Sequence, residues 1–113
     1  MVRFVYGIFP AFIKVGALPE GVYGRTLAMF VTMPEGYNEG QLAHEMTHVW
    51  QGYRTFFLHP ILNSISKTYR LMCEFEALRV QLMYPGYTAG GMAIDAARAY
   101  GMTEDEAFRR LTE

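Results

Sequence analysis

Asn38-Glu39-Gly40-Gln41-Leu42-Ala43-His44-Glu45-Met46-Thr47-His48 is the stretch on which the reading of this chain turns. Asn38 is a good helix N-cap and Gln41 follows three residues later, the capping-box spacing in which each side chain satisfies a backbone N–H at the other position. The pattern predicts a helix running to about Phe57. Leu42, Met46, Val49 and Tyr53 recur at helical spacing and form one apolar stripe, while His44, His48 and Gln51 fall on the opposite side at about 100° per residue. Positions i and i+4 lie nearly above one another on a helix, so both imidazoles can reach one metal ion with Glu45 beside them. The helix is expected to bury one face and to carry chemistry on the other.

Upstream of this helix, aromatic and β-branched residues dominate from Val2 to Met33, broken by turn formers at Pro10, Gly16, Pro19-Glu20-Gly21, Gly24 and Pro34-Glu35-Gly36. That pattern predicts short strands near Arg3 to Phe9, Phe12 to Ala17 and Arg25 to Met33. Downstream, His59-Pro60 should interrupt the helix, because proline disfavours helical geometry in the residue before it. A second helix is predicted from about Leu62 to Met83, stopped by Pro85-Gly86. A short alanine-rich helix follows from Met92 to Tyr100, and Thr103-Glu104-Asp105-Glu106 starts a last one carrying Ala107, Phe108 and Leu111. The expected fold is therefore α+β, a single domain over residues 1–113. A small twisted sheet of about three strands in the N-terminal third packs on the histidine helix and on a second, glutamate-bearing helix, with short helices at the C-terminal end.

The chain has 113 residues, 51% of them hydrophobic and 19% charged, with a formal net charge of −1. A chain of this length supports one core, so an active site must be shallow or completed by a partner. The charge balance offers no footprint for nucleic acid, which is not an expected partner. Cys73 is the only cysteine, so no internal disulfide is possible and a cytoplasmic setting is the default expectation. Phe4 to Ile13 follows Arg3 and is apolar, but Gly7 and Pro10 interrupt it and no small-x-small pattern follows, which argues against a signal peptide. A transmembrane helix needs about 20 apolar residues and none approaches that, so no membrane partner is expected.

Two histidines are an incomplete zinc site, because a catalytic zinc takes three protein ligands and keeps one position open. Glu74 and Glu76 are the best candidates for the third, since an acidic pair inside an otherwise apolar helix is costly to bury without a positive partner. They lie about 200° apart around that helix, so both are not expected to bind one ion directly. His59, the third histidine, is an alternative ligand, but it lies beyond the helix break and is expected to be structural or at the surface, because a glutamate from the second helix better completes the set. Trp50, Tyr53 and Tyr69 are expected to pack, and Gln51 lies near the metal-facing side.

These residues resemble the gluzincin zinc metallopeptidases, in which a helix bearing HExxH is followed by a second helix donating a glutamate ligand. The resemblance covers roughly Arg25 to Gln81, and at this chain length it looks like the minimal single-domain form, the minigluzincins. In several gluzincin branches the second motif is Glu-x-x-Ala followed by Asp or Asn. Laid on Glu74-Phe75-Glu76-Ala77-Leu78, it makes Glu74 the ligand and puts Leu78 where the family often has a polar residue orienting a histidine. The resemblance implies a metalloendopeptidase with zinc on His44, His48 and Glu74 and Glu45 as general base. It further implies a peptide or protein substrate paired along the strand at Leu27 to Thr32. The competing expectation is a latent or non-catalytic zinc-binding module acting through self-association, a homo-oligomer or a protein partner.

Overall fold

The computed structural model describes all 113 residues and shows an α+β architecture. Four strands come first: β1 (Val2–Val5), β2 (Phe9–Val15), β3 (Arg25–Leu27) and β4 (Phe30–Met33). Five helices follow: α1 (Glu39–Arg54), α2 (His59–Ile65), α3 (Lys67–Leu82), α4 (Ala89–Tyr100) and α5 (Glu104–Thr112). No helix is long and apolar enough to cross a membrane.

The sheet has four strands, one more than expected, in the order β1-β2-β4-β3. The predicted strand Arg25 to Met33 folds back on itself at Ala28-Met29, so that Leu27 pairs with Phe30 and Arg25 with Thr32. Its alternation reads straight through the turn because neither turn residue is a glycine or asparagine. Ala28 nevertheless adopts a φ of 54°, in the left-handed region. That conformation costs a non-glycine residue about 1–2 kcal/mol. Ala28→Gly is therefore expected to stabilise the fold by about 0.5–1 kcal/mol after the glycine's own entropic cost, read as a rise in the denaturant midpoint at unchanged slope.

β1 and β2 are antiparallel, whereas β2 and β4 are parallel. Met1 and Ile13 exchange both backbone hydrogen bonds, so Pro10, three residues before Ile13 and opposite Phe4, falls at a non-bonded position of the β1–β2 ladder. Its nitrogen points towards the β4 side, where pairing begins only at Phe12, and the central strand loses nothing by the missing N–H. The inner face contributes Ala11, Ile13, Val31 and Met33, which pack on Leu42 and Val49 of α1 as one buried cluster. Phe9, Trp50 and Tyr53 continue it as an aromatic group, and the Tyr53 hydroxyl donates to the Pro10 carbonyl at 2.6 Å.

α1 begins as expected: Asn38 Oδ1 accepts from Gln41 N at 2.8 Å and Gln41 Oε1 accepts from Asn38 N at 3.1 Å. It ends at Arg54 rather than near Phe57, because Phe56 and Phe57 both take left-handed φ values. The single helix expected from Leu62 to Met83 is two. Pro60 sits in the first turn of α2, where its missing N–H has no intrahelical acceptor in any case. Ser66 then turns to extended backbone and caps α3, its hydroxyl accepting from Tyr69 N. α4 starts three residues before the expected Met92, taking in Gly90 and Gly91 under a Thr88 cap. Gly101 ends it in the left-handed conformation, and Thr103 caps α5. α3, α4 and α5 close around Phe75, Ala93, Ala96, Ala107 and Leu111, a second buried cluster separate from that between the sheet and α1.

Candidate metal centre

The seam between the two clusters is where α1 packs on α3, and its chemistry is polar. His44 and His48 lie one turn apart on α1, with rings T-shaped at a centroid distance of 5.0 Å. Glu74 reaches them from α3: its Oε1 is 3.3 Å from His48 Nε2 and its Oε2 is 3.6 Å from His44 Nε2. One donor atom from each of the three residues lies within 4.8 Å of the others. Ligands about 2.0–2.1 Å from a tetrahedral zinc stand about 3.3–3.4 Å from one another, close to the separation of Glu74 Oε1 from His48 Nε2, while the other carboxylate oxygen faces His44. The donor set, two imidazoles and one carboxylate, is also one that zinc accepts.

Both imidazoles are oriented from behind. His44 Nδ1 lies 2.9 Å from Gln81 Oε1 and His48 Nδ1 lies 2.7 Å from Gln51 Oε1. An amide oxygen only accepts, so each ring carries a proton on Nδ1 and directs Nε2 at Glu74. Gln51 is fully buried and is itself held, donating from Nε2 to the Cys73 carbonyl at 2.9 Å and to Glu76 Oε1 at 2.7 Å. Glu76 in turn forms a bidentate pair with Arg54 at 3.0 and 3.1 Å. The two glutamates of α3 thus take different parts: Glu74 faces the histidines, whereas Glu76 faces Gln51 and Arg54 and stands outside the donor cluster.

Leu78, where the resemblance looks for a polar group, packs against the α3–α5 cluster. Gln81, three residues further along α3, takes over the orienting of His44. Loss of such a partner lowers metal affinity by about 10–100-fold. Gln81→Leu is accordingly expected to weaken zinc binding by that factor with helix content unchanged, measured by competition against a chromogenic chelator.

Glu45 lies beside this group, its Oε2 3.9 Å from His44 Nε2. The Thr26 hydroxyl, on the inner side of edge strand β3, is 2.9 Å from Glu45 Oε1 and donates to it. Gly24 lies against the Glu45 side chain so closely that a Cβ built on it would fall 2.6 Å from Glu45 Cγ and 2.9 Å from Cδ. Tyr100, at the end of α4, donates from its hydroxyl to Glu74 Oε2 at 3.1 Å. The sequence marks none of Gly24, Thr26, Gln81 and Tyr100 as a site residue: Gly24, Thr26 and Tyr100 reach the site from elements whose approach no local spacing encodes, and Gln81 shares only a face of α3 with Glu74.

His59 lines the same cleft and stands 6.1 Å, centroid to centroid, from the His48 ring. It lies outside the three-residue donor group, and its Nδ1 is 2.8 Å from the Tyr69 hydroxyl. Tyr69 therefore does more than pack. Burial and the neighbouring His48 hold His59 below the ordinary imidazole range.

Burial disfavours charge on both His48 and Glu74, yet their mutual contact overrides it. Glu74 and, more weakly, Glu45 lift His48 to about 9, and the two histidines hold Glu74 well below the usual carboxylate range. The carboxylate of Glu74 thus favours a cation at its side, the place that a metal ion would take.

The cleft over these residues has a volume of about 460 Å³ and a mainly polar lining. β3 with the residue on either side of it, Gly24 to Ala28, forms one wall, and Pro60, Asn63 and Ser64 of α2 form the other. Comparison of the chain with protein-family models, with curated proteins and with solved structures yields no match.

Proposed function

We propose that the chain is a zinc-dependent metalloendopeptidase, with His44, His48 and Glu74 as ligands and Glu45 as general base. The observation that carries this reading is the convergence of both Nε2 atoms and the Glu74 carboxylate, each histidine already oriented through Nδ1, with Glu45 beside them at the floor of an open cleft. Zinc held there supplies a Lewis acid for the scissile carbonyl and brings the pKa of a water towards about 7.

The chain's own residues supply the rest. Thr26 engages one oxygen of Glu45 and leaves the other on the side of His44. From that position Glu45 takes the proton of the attacking water and passes it to the leaving amine. β3 has one bonded neighbour, β4, and its other edge is free. An extended peptide pairing with that edge lies along the cleft wall, above the metal donors, so the substrate is a peptide or unstructured protein segment. The lone cysteine, buried at Cys73, is compatible with a reducing, cytoplasmic compartment.

The test is cleavage of an unstructured polypeptide by the full chain loaded with one equivalent of zinc. Cleavage that stops with chelator and returns with zinc supports the reading. A fully loaded protein that leaves the polypeptide intact overturns it in favour of a non-catalytic zinc module.

A further inference from the structure

The outer face of the sheet has no helix on it. The strand register places Val2 opposite Phe12, Phe12 opposite Phe30 and Phe30 opposite Leu27, one unbroken row across all four strands. Each member is exposed, by 48%, 41%, 58% and 66% respectively. Phe12 and Phe30 stack at 5.6 Å between centroids. A second apolar row, Phe4 opposite Pro10, lies on one side of it, with Phe4 57% exposed. On the other side runs a basic row, Lys14 opposite Thr32 opposite Arg25. No acidic residue stands on this face.

We propose that this face is the interface of a homodimer, in which two copies stack sheet on sheet. The choice of a second copy rests on area and shape. Aromatic side chains carry about 150–250 Å² each, so these exposures leave roughly 500–600 Å² of apolar surface per copy and about 1,000–1,200 Å² in a pair. That reaches the lower bound of a specific interface, about 1,000 Å², and exceeds most incidental contacts. An apolar sheet face can stack on its own copy, since two sheets of like twist pack about 10 Å apart with their strands aligned to within about 30°.

The basic rows select the symmetry axis. A twofold axis along the strands would set the two basic rows against each other with no acid to separate them. A twofold axis across the strands keeps the central apolar rows face to face and brings Lys14 over the partner's Pro10, one strand from its Phe4, while Arg25 stays at the far edge of the sheet. A cation over an aromatic ring is favourable, and both charges stay at the solvent rim. The metal donors lie on the inner side of β3, where Thr26 meets Glu45, so a partner on the outer face meets the cleft only at its β3 rim, through Arg25 and Leu27. The dimer stands independently of the peptidase reading.

Sedimentation velocity on the full chain, from about 1 to 300 micromolar, tests it. The expected result is reversible monomer–dimer exchange with a dissociation constant in the micromolar range. Phe12→Ser with Phe30→Ser, and separately Leu27→Gln, are each expected to raise that constant at least tenfold with far-UV circular dichroism and zinc stoichiometry unchanged. Lys14→Glu is expected to weaken the dimer by removing its cation from beside the partner's Phe4. A monomer at every concentration overturns the proposal, as does a dimer indifferent to the phenylalanine and leucine changes. Strengthening by Lys14→Glu, or sedimentation of the monomer with anionic phospholipid vesicles through this same face, also overturns it.

Discussion

Glu45→Gln is expected to lower kcat/KM for peptide cleavage by about 10²–10⁴-fold, the range that a positioned general base contributes, while zinc affinity changes only a few-fold. The amide keeps the side chain's size and can still accept the Thr26 hydroxyl at its oxygen, so the local packing survives. Only the proton-accepting capacity is lost. Gly24→Ala reaches the same atoms by a different route. The added methyl would meet Glu45 Cγ and Cδ at distances that no side chain tolerates, and Glu45 is buried, so the carboxylate has to swing away from the cleft floor. A displacement of about 1 Å in a catalytic group costs on the order of 100-fold. The alanine variant is therefore expected to retain zinc and lose most turnover, through kcat rather than KM. Cleavage by Glu45→Gln at the unsubstituted rate would remove Glu45 from the mechanism, and an unimpaired Gly24→Ala would show that the carboxylate keeps its place beside the added methyl.

The capped helix, its buried stripe and the histidines on its opposite face are legible because α1 is a local object: Asn38, Gln41, Leu42 and Val49 encode it within a few turns, whereas the packing of that second face against α3 is not. The sheet was less so. Ala28 turns the chain by adopting a strained φ without any residue that announces it, and three strands were read where four form. The break at Ser66 was missed for a related reason. Its serine reads as an ordinary polar position in a helical run, and only in the folded chain does it act as a cap.

The chemistry of α3 divided in the same way. Helical geometry sets Glu74 and Glu76 apart on the helix, but which of them meets α1 depends on how the two helices pack. Arg54, near the end of α1, draws Glu76 to itself and to Gln51. Gln81 could have been suspected, since it lies seven residues, nearly two turns, beyond Glu74 and so on nearly the same face. Gly24 could not, because its only signal is the absence of a side chain where a buried carboxylate must pass.

Zinc removal is expected to have the largest effect on stability, and the effect should grow with pH. The donors come from both sides of a polar seam: His44 and His48 from the helix packed on the sheet, Glu74 from the helix packed on α4 and α5. A bound ion therefore ties the two apolar clusters together. At free zinc about 1,000 times its dissociation constant, binding adds about 4 kcal/mol to the folded state. At about 4 °C per kcal/mol for a domain of this size, chelation should lower Tm by about 15 °C. The sign of the pH dependence follows from the free site. His48 is raised to about 9 against an unfolded value of 6.5, so the stability it contributes is complete below about 6.5 and is lost as pH rises through 9. Glu74 is depressed, and its contribution is complete above the ordinary carboxylate value of 4.5 and is lost as pH falls below it. With respect to this cluster, the zinc-free protein is thus most stable between about 4.5 and 6.5. Zinc has the opposite preference, because it needs His48 neutral and must displace its proton. Its apparent affinity should rise about tenfold per pH unit from 7 to 9 and level off above 9, whereas an unperturbed imidazole would level off near 6.5. Scanning calorimetry with and without chelator from pH 6 to 9 should accordingly show the gap in Tm widening with pH. A gap that stays constant across that range would mean that zinc does not displace a proton from His48, and the three-ligand assignment would fail with it.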